Sequence, residues 1–198
     1  MNFNVVYSRK SELQRLVFTV KNTPFYKEKG YRVLLPKGAT LDHTSATDIF
    51  ELAGQEFPDK GVKDVKNNVI DEIQRYKDLI DLYIKSIPFK APEEVDIILT
   101  QYGVGGSYNV NSSEIVINIK YNVDFMSLIM HELTHLLVDK ELVYKFKLDH
   151  DAKENLIKWL LTNSLILKDF VSVPVKTKIK PPGKDVLEEL KRLNYSPV

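Results

Sequence analysis

The stretch that most constrains this chain is His131-Glu132-Leu133-Thr134-His135, set inside the apolar run 125–138. His135 follows His131 by four positions. On an α-helix that spacing puts both imidazoles on one face, roughly 6 Å apart along the axis. Two such rings can reach one metal ion at the roughly 2.0–2.1 Å of a Zn–N bond. Glu132 projects about 100° round the helix from His131. There it makes a poor ligand but can reach a water activated by the ion. Zinc lowers the pKa of such a water towards about 7 and makes it a nucleophile. Glu132 is then the candidate general base, taking the proton and passing it to a leaving amine. Burying two histidines and a glutamate in an otherwise apolar helix is costly without a metal.

A zinc site of this kind needs a third protein ligand and an open fourth position. The chain has no cysteine, so thiolate ligands, cysteine nucleophiles and disulfides are excluded. The downstream candidates are His150, Asp151 and Glu154. A helix is expected from about residue 150 to 167, with Ile157, Leu160, Leu161 and Leu165 facing inward. On it Asp151 points away from the apolar stripe, whereas His150 and Glu154, four apart, share a flank. Helical geometry does not choose between those two.

His131-Glu-Leu-Thr-His135, eighteen intervening residues and then Glu154 resembles the HExxH-x18-E pattern of gluzincin metallopeptidases. The resemblance covers residues 62–167, with only the zinc pattern specific. It implies a zincin-like fold, a Zn²⁺ cofactor held by His131, His135 and Glu154, catalysis by Glu132, and a peptide or protein substrate. It also implies that the strand before the active-site helix, residues 114–120, borders the cleft and pairs with extended substrate. Two features of the clan are missing. Glu154 is followed by Asn155-Leu156-Ile157-Lys158, without the acidic residue one turn on found in thermolysin-like enzymes. The Gly-Ala-Met-Glu-Asn signature of the aminopeptidases is absent, which favours an endopeptidase. A competing match, His135 followed after fourteen residues by His150, is similar to the three-histidine spacing of SprT-like proteases. Their cysteine-bearing ribbon and basic character are lacking here.

The remaining chain predicts an α+β fold with a small mixed sheet. Strands are expected at 3–7, 31–35, 95–100 and 114–120. Ile115, Ile117 and Ile119 share one face of the last. Ser8 or Ser11 can cap a helix to about Lys21, which Asn22-Thr23-Pro24 ends. Thr44 or Ser45 can cap another to Glu56, with Ile49, Phe50 and Leu52 inward. Apolar residues at Val62, Val65, Val69, Ile73, Tyr76, Ile80, Tyr83 and Ile87 step by three and four, the stripe of one long amphipathic helix before the sheet. Asn122 or Asp124 can cap the active-site helix, expected over 125–144. A short helix is expected over 185–193 after Pro174 and Pro181-Pro182-Gly183. The organisation reads as an N-terminal extension or subdomain (1–60), a metallopeptidase domain (61–170) and a tail (171–198).

The loop 102–107, with Gly103, Gly105 and Gly106, lacks the Gly-Lys-Ser/Thr ending of a phosphate loop and reads as a bend in a hairpin. A net charge of +1 gives no general pull towards nucleic acid. Lys176, Lys178, Lys180 and Lys184 read as a solvated edge. No apolar run nears the roughly 20 residues of a membrane span. The first twenty residues carry Arg9, Lys10, Glu12 and Arg15, unlike a signal peptide, so a cytoplasmic protein is expected. The donor that stabilises an oxyanion opposite Glu132 could be Tyr102, Tyr108, Tyr121 or Tyr144.

Overall fold

The computed structural model describes residues 1–42, 44–57, 61–121, 124–164, 166–167 and 179–195. Leu165, Pro174, Lys176, Lys178 and Asn122, to which the sequence assigned roles, lie outside them. The fold is α+β around a small mixed sheet. Its strands are β1 (Asn2–Val6), β2 (Glu94–Thr100), β3 (Gly106–Asn109) and β4 (Glu114–Asn118), in the order β1-β2-β4-β3. β1, β2 and β4 run parallel; β3 turns back antiparallel along β4. The alternation in β2 and β4 buries Val95, Ile97, Leu99, Ile115 and Ile117, as a period of two dictates for a strand with one face on a core. Val5, Ile97, Ile115 and Tyr108 are successive cross-strand partners, so they form one row across the sheet. Gly106 lies in the next row on the same face, with Ile117 and Leu99.

The N-terminal stretch contributes to this same sheet: β1 is the parallel neighbour of β2, across the boundary expected near residue 60. Helix α1 (Arg9–Lys21) begins at a capping box in which the Ser8 hydroxyl accepts from the Ser11 N–H. It packs against β2, where the buried Glu12 carboxylate accepts from the Thr100 hydroxyl (2.6 Å) and the Gln101 N–H (2.8 Å). Pro24 sits in the first turn of the short helix α2 (Thr23–Glu28), where its missing N–H costs nothing. Helix α3 (Ala46–Glu56) is capped by Ser45 and buries Ile49 and Ala53, while Phe50 and Leu52 are only half-buried.

Two expected elements that precede β2 differ. Residues 31–35 do not form a strand; only Leu34 bridges, antiparallel, to Gly103. The neighbouring backbone groups are committed elsewhere. The Tyr31 N–H donates to the Tyr26 carbonyl (2.9 Å), and the Arg32 carbonyl accepts from the Tyr121 hydroxyl (2.5 Å). The long helix 61–87 is two helices, α4 (Val62–Arg75) and α5 (Lys77–Ser86), separated by Tyr76 at φ −103° and ψ 11°. Both keep their apolar stripe inward through Val69, Ile73, Ile80 and Tyr83.

Helix α6 (Phe125–Val138) lies on the sheet against β3 and β4. The expected helix 125–144 continues past it only as a π-helical turn, Asp139–Val143. Helix α7 (His150–Thr162) packs on α6 and buries Leu156, Ile157, Leu160 and Leu161. The last helix, α8 (Lys184–Arg192), buries Val186 and Leu190. Among the described residues no helix is long and apolar enough to cross a membrane.

Candidate functional site

Asp124 caps α6 by accepting from the Ser127 N–H at 3.0 Å. The helix is clamped from behind by the fully buried Tyr83 of α5, whose hydroxyl meets the Thr134 hydroxyl at 2.8 Å. With Thr134 fixed towards α5, the helical period turns His131 and His135 to the side facing α7 and β3. Their Nε2 atoms stand 3.2 Å apart.

Glu154 comes from the second turn of α7. Asp149 caps that helix, its carboxylate accepting from the Ala152 N–H at 2.8 Å. The capping role is therefore filled and the Glu154 carboxylate is free to turn inward. One of its oxygens lies 3.2 Å from His131 Nε2 and the other 3.3 Å from His135 Nε2. The three ligand atoms fall within 4.8 Å of one another, so His131, His135 and Glu154 could hold one metal ion between them. Two imidazoles and a carboxylate on two packed helices form a donor set of the kind that leaves a coordination position open.

The electrostatics of the cluster follow from burial and proximity. Burial alone would raise the Glu154 pKa, but hydrogen bonds from His131 and His135 outweigh it and hold the carboxyl well below the usual range. Burial depresses His135 to about 4 despite Glu154, which keeps the ring neutral and able to ligate. For His131 the burial cost is overcome by the bond to Glu154 and the charges of Glu132 and Glu154, and its pKa rises. Glu132 is pushed up to about 7 by burial, opposed chiefly by His131. A carboxyl poised near neutrality is suited to taking up and returning a proton.

Glu132 reaches its place through the sheet. A Cβ on Gly106 would stand 2.3 Å from Glu132 Oε1, so the carboxylate fills the space that a side chain on that strand would need. Two residues on, Tyr108 returns to the same face and stacks on His135, with ring centroids 4.3 Å apart and planes 7° from parallel. Its hydroxyl donates to Asp139 Oδ2 (2.8 Å) and accepts from Lys153 Nζ (3.0 Å). The other Asp139 oxygen lies 4.0 Å from His135 Nδ1, and both of these buried atoms lack a hydrogen-bond partner among the described residues. Ser107, between them in sequence, points to the opposite face, where its hydroxyl accepts from Arg15 of α1 at 2.7 Å.

The four residues singled out in the sequence, His131, Glu132, His135 and Glu154, therefore converge. His150 does not join them: its Nε2 pairs with the Tyr31 hydroxyl at 2.7 Å. Asp151 pairs with Lys29 across 3.5 Å. The strand expected to border the cleft, 114–120, is β4, and it is flanked on both sides by β2 and β3. Its backbone is consumed in the ladder, and the edge beside the site belongs to β3. Of the candidate oxyanion donors, Tyr102 donates to Glu56 (2.8 Å), Tyr108 to Asp139 and Tyr121 to the Arg32 carbonyl, while Tyr144 is exposed. Sequence reasoning missed Gly106 and Asp139. Asp139 had a visible signal, lying four residues after His135 and hence on its face of the helix. Gly106 had none, because its contact is made across the fold. Comparison of the chain with known protein families, with curated proteins and with solved structures returns no match.

Proposed function

We propose that the protein is a zinc-dependent peptidase of minimal gluzincin type, acting within peptide or protein chains. The observation that carries this reading is the Glu132 carboxylate, lodged against Gly106 of the edge strand and one residue from a His-His-Glu donor set. His131, His135 and Glu154 would hold the ion. When bound, zinc polarises a carbonyl and lowers the pKa of water towards about 7.

The chain's own residues do the rest. The outer edge of β3, unpaired with any other strand among the described residues, offers backbone donors and acceptors to an extended peptide. Glu132 accepts a proton from the water that adds to the peptide carbonyl carbon. As the C–N bond breaks, the same carboxyl returns that proton to the amine nitrogen, leaving a carboxylate and a free amine. Asp139 faces the far nitrogen of His135 and favours the tautomer that leaves Nε2 free to ligate.

The test is cleavage of a mixed peptide pool by wild type and Glu132→Gln, with zinc content measured in both. The expected result is one zinc per chain in both and turnover in wild type alone. Zinc in both with cleavage by neither would favour a non-catalytic zinc-binding protein, and a wild type unable to take up zinc would sink both readings. Glu154→Ala should lose zinc affinity and His150→Ala should keep it.

A further inference from the structure

Hydrolysis of this kind develops negative charge on the substrate carbonyl oxygen, and the groups named so far leave that charge without a donor from the protein. The candidate must stand on the side from which substrate can arrive. His135 is closed off by the stacked ring of Tyr108, and Glu132 by Gly106. The accessible side is that of His131 and Glu154, each 23% exposed.

Tyr31 stands at the start of α7, one turn from Glu154. His150 and Glu154 occupy positions i and i+4 of α7, so they share one face about 6 Å apart along the axis. The Tyr31 hydroxyl is 2.7 Å from His150 Nε2. The ring is held edge-on to His150 and Tyr26, and Phe25 packs edge-on against the imidazole. Two further ties fix the strap that carries it, residues 29–34. Lys29 pairs with Asp151 at one end, and Leu34 exchanges two backbone hydrogen bonds (2.9 and 2.8 Å) with Gly103 at the other. The strap thus runs from the start of α7 to the loop that enters β3, and the carboxylates of Glu154 and Glu132 act on the Tyr31 hydroxyl it carries. Unlike Tyr102, Tyr108 and Tyr121, Tyr31 gives its hydroxyl to no carboxylate or carbonyl among the described residues; its hydrogen-bond partner there is a histidine.

We propose that Tyr31 is a catalytic residue: its O–H donates to the carbonyl oxygen of the substrate, and His150 is the positioning residue that holds it by donating Nε2–H to the phenol oxygen. The inference rests on the peptidase reading above and deepens it, because it makes the N-terminal stretch, outside the resemblance, complete the active site. Burial, and then the carboxylates of Glu154, Glu132 and Asp151, raise the Tyr31 pKa, so the hydroxyl keeps its proton at neutral pH.

The test compares wild type, Tyr31→Phe and His150→Gln as zinc-loaded full-length chains. The measurements are steady-state cleavage and calorimetric binding of a phosphinic peptide, a tetrahedral-anion mimic that reports on the donor without turnover. Tyr31→Phe removes one oxygen and leaves the packing, so melting temperature and zinc content should match wild type. Its kcat should fall about 100-fold with KM within about threefold, the signature of an interaction made only in the transition state. Affinity for the phosphinic peptide should fall by a comparable factor. His150→Gln should show a smaller loss in the same two quantities, and the double variant should be no worse than Tyr31→Phe. Wild-type cleavage with an unchanged kcat in Tyr31→Phe would overturn the inference and leave the peptidase reading intact. A zinc-loaded wild type that neither cleaves peptides nor binds the mimic would overturn both.

Discussion

A Cβ atom placed on Gly106 would lie 2.3 Å from Glu132 Oε1 and 3.0 Å from its Cδ. The glycine is needed for close approach, since its φ is not among the positive values of the chain. Gly106→Ala should therefore displace the end of the Glu132 side chain while leaving the ligands in place. The expected outcome is a drop in kcat of at least about tenfold, since small misplacements of a reacting group are costly. Zinc stoichiometry, measured on the same sample, should equal that of wild type.

Asp139 and His135 make a second pair whose consequence is measurable. Asp139 Oδ1 and His135 Nδ1 are buried and 4.0 Å apart, and neither has a hydrogen-bond partner among the described residues. Removing the carboxylate in Asp139→Ala also takes the acceptor from the Tyr108 hydroxyl and leaves it only the bond from Lys153. Zinc affinity should fall roughly 10–100-fold, the usual cost of losing an outer partner of a ligating histidine. Competition with a chelator of known affinity reads this directly.

Glu132 predicts a pH dependence of the metal-free protein. Its folded pKa, about 7, lies above the ordinary 4.5. Between those values the folded state binds more protons than the unfolded one, so stability falls as pH rises from 4.5 to 7 and stays lower above. Glu132→Gln removes that loss. In chelator-treated samples the variant should be more stable than wild type at pH 8, by up to about 3 kcal/mol. The difference should vanish below about pH 4.5, where the carboxyl is protonated in both states. Urea unfolding at the two pH values is the check; a variant no more stable at pH 8 would refute the assignment of a buried, costly carboxylate.

Gly103 holds the N-terminal helix to the loop before β3. Its φ is +83°, and an added Cβ would meet Arg15 Nε at 2.4 Å and Thr19 Oγ1 at 2.9 Å, both on buried side chains. Gly103→Ala should cost about 2 kcal/mol or more from the left-handed backbone and the displaced arginine together. A fall of several degrees in melting temperature is expected, whether or not zinc is present.

The elements were largely legible in the sequence because they rest on local rules. Ser8, Ser45 and Asp124, each one of the two residues offered for its helix, are the caps, and the shared face of Ile115 and Ile117 lies in the core. Two readings failed, the first because tertiary hydrogen bonds overrode the local pattern. The apolar run 31–35 spends its backbone on Tyr26, Gly103 and Tyr121 instead of on a ladder. The unbroken stripe of 61–87 gave no sign of the bend at Tyr76, since two helices can share one buried face.

For the site the division is sharper. By itself the sequence determined that His131 and His135 share a helical face with Glu132 between them, because helix geometry converts a spacing of four into a direction. It also narrowed the candidate third ligand of a metal to His150 or Glu154. Only the tertiary structure shows which of the two stands beside the imidazoles. The crossing of α7 over α6 brings Glu154 within 3.3 Å of both imidazoles and turns His150, one turn earlier, to Tyr31. The same holds for the edge strand. Strand order is a property of pairing across the sheet, so it took the fold to place β4 inside and leave β3, with Gly106 against Glu132, at the rim.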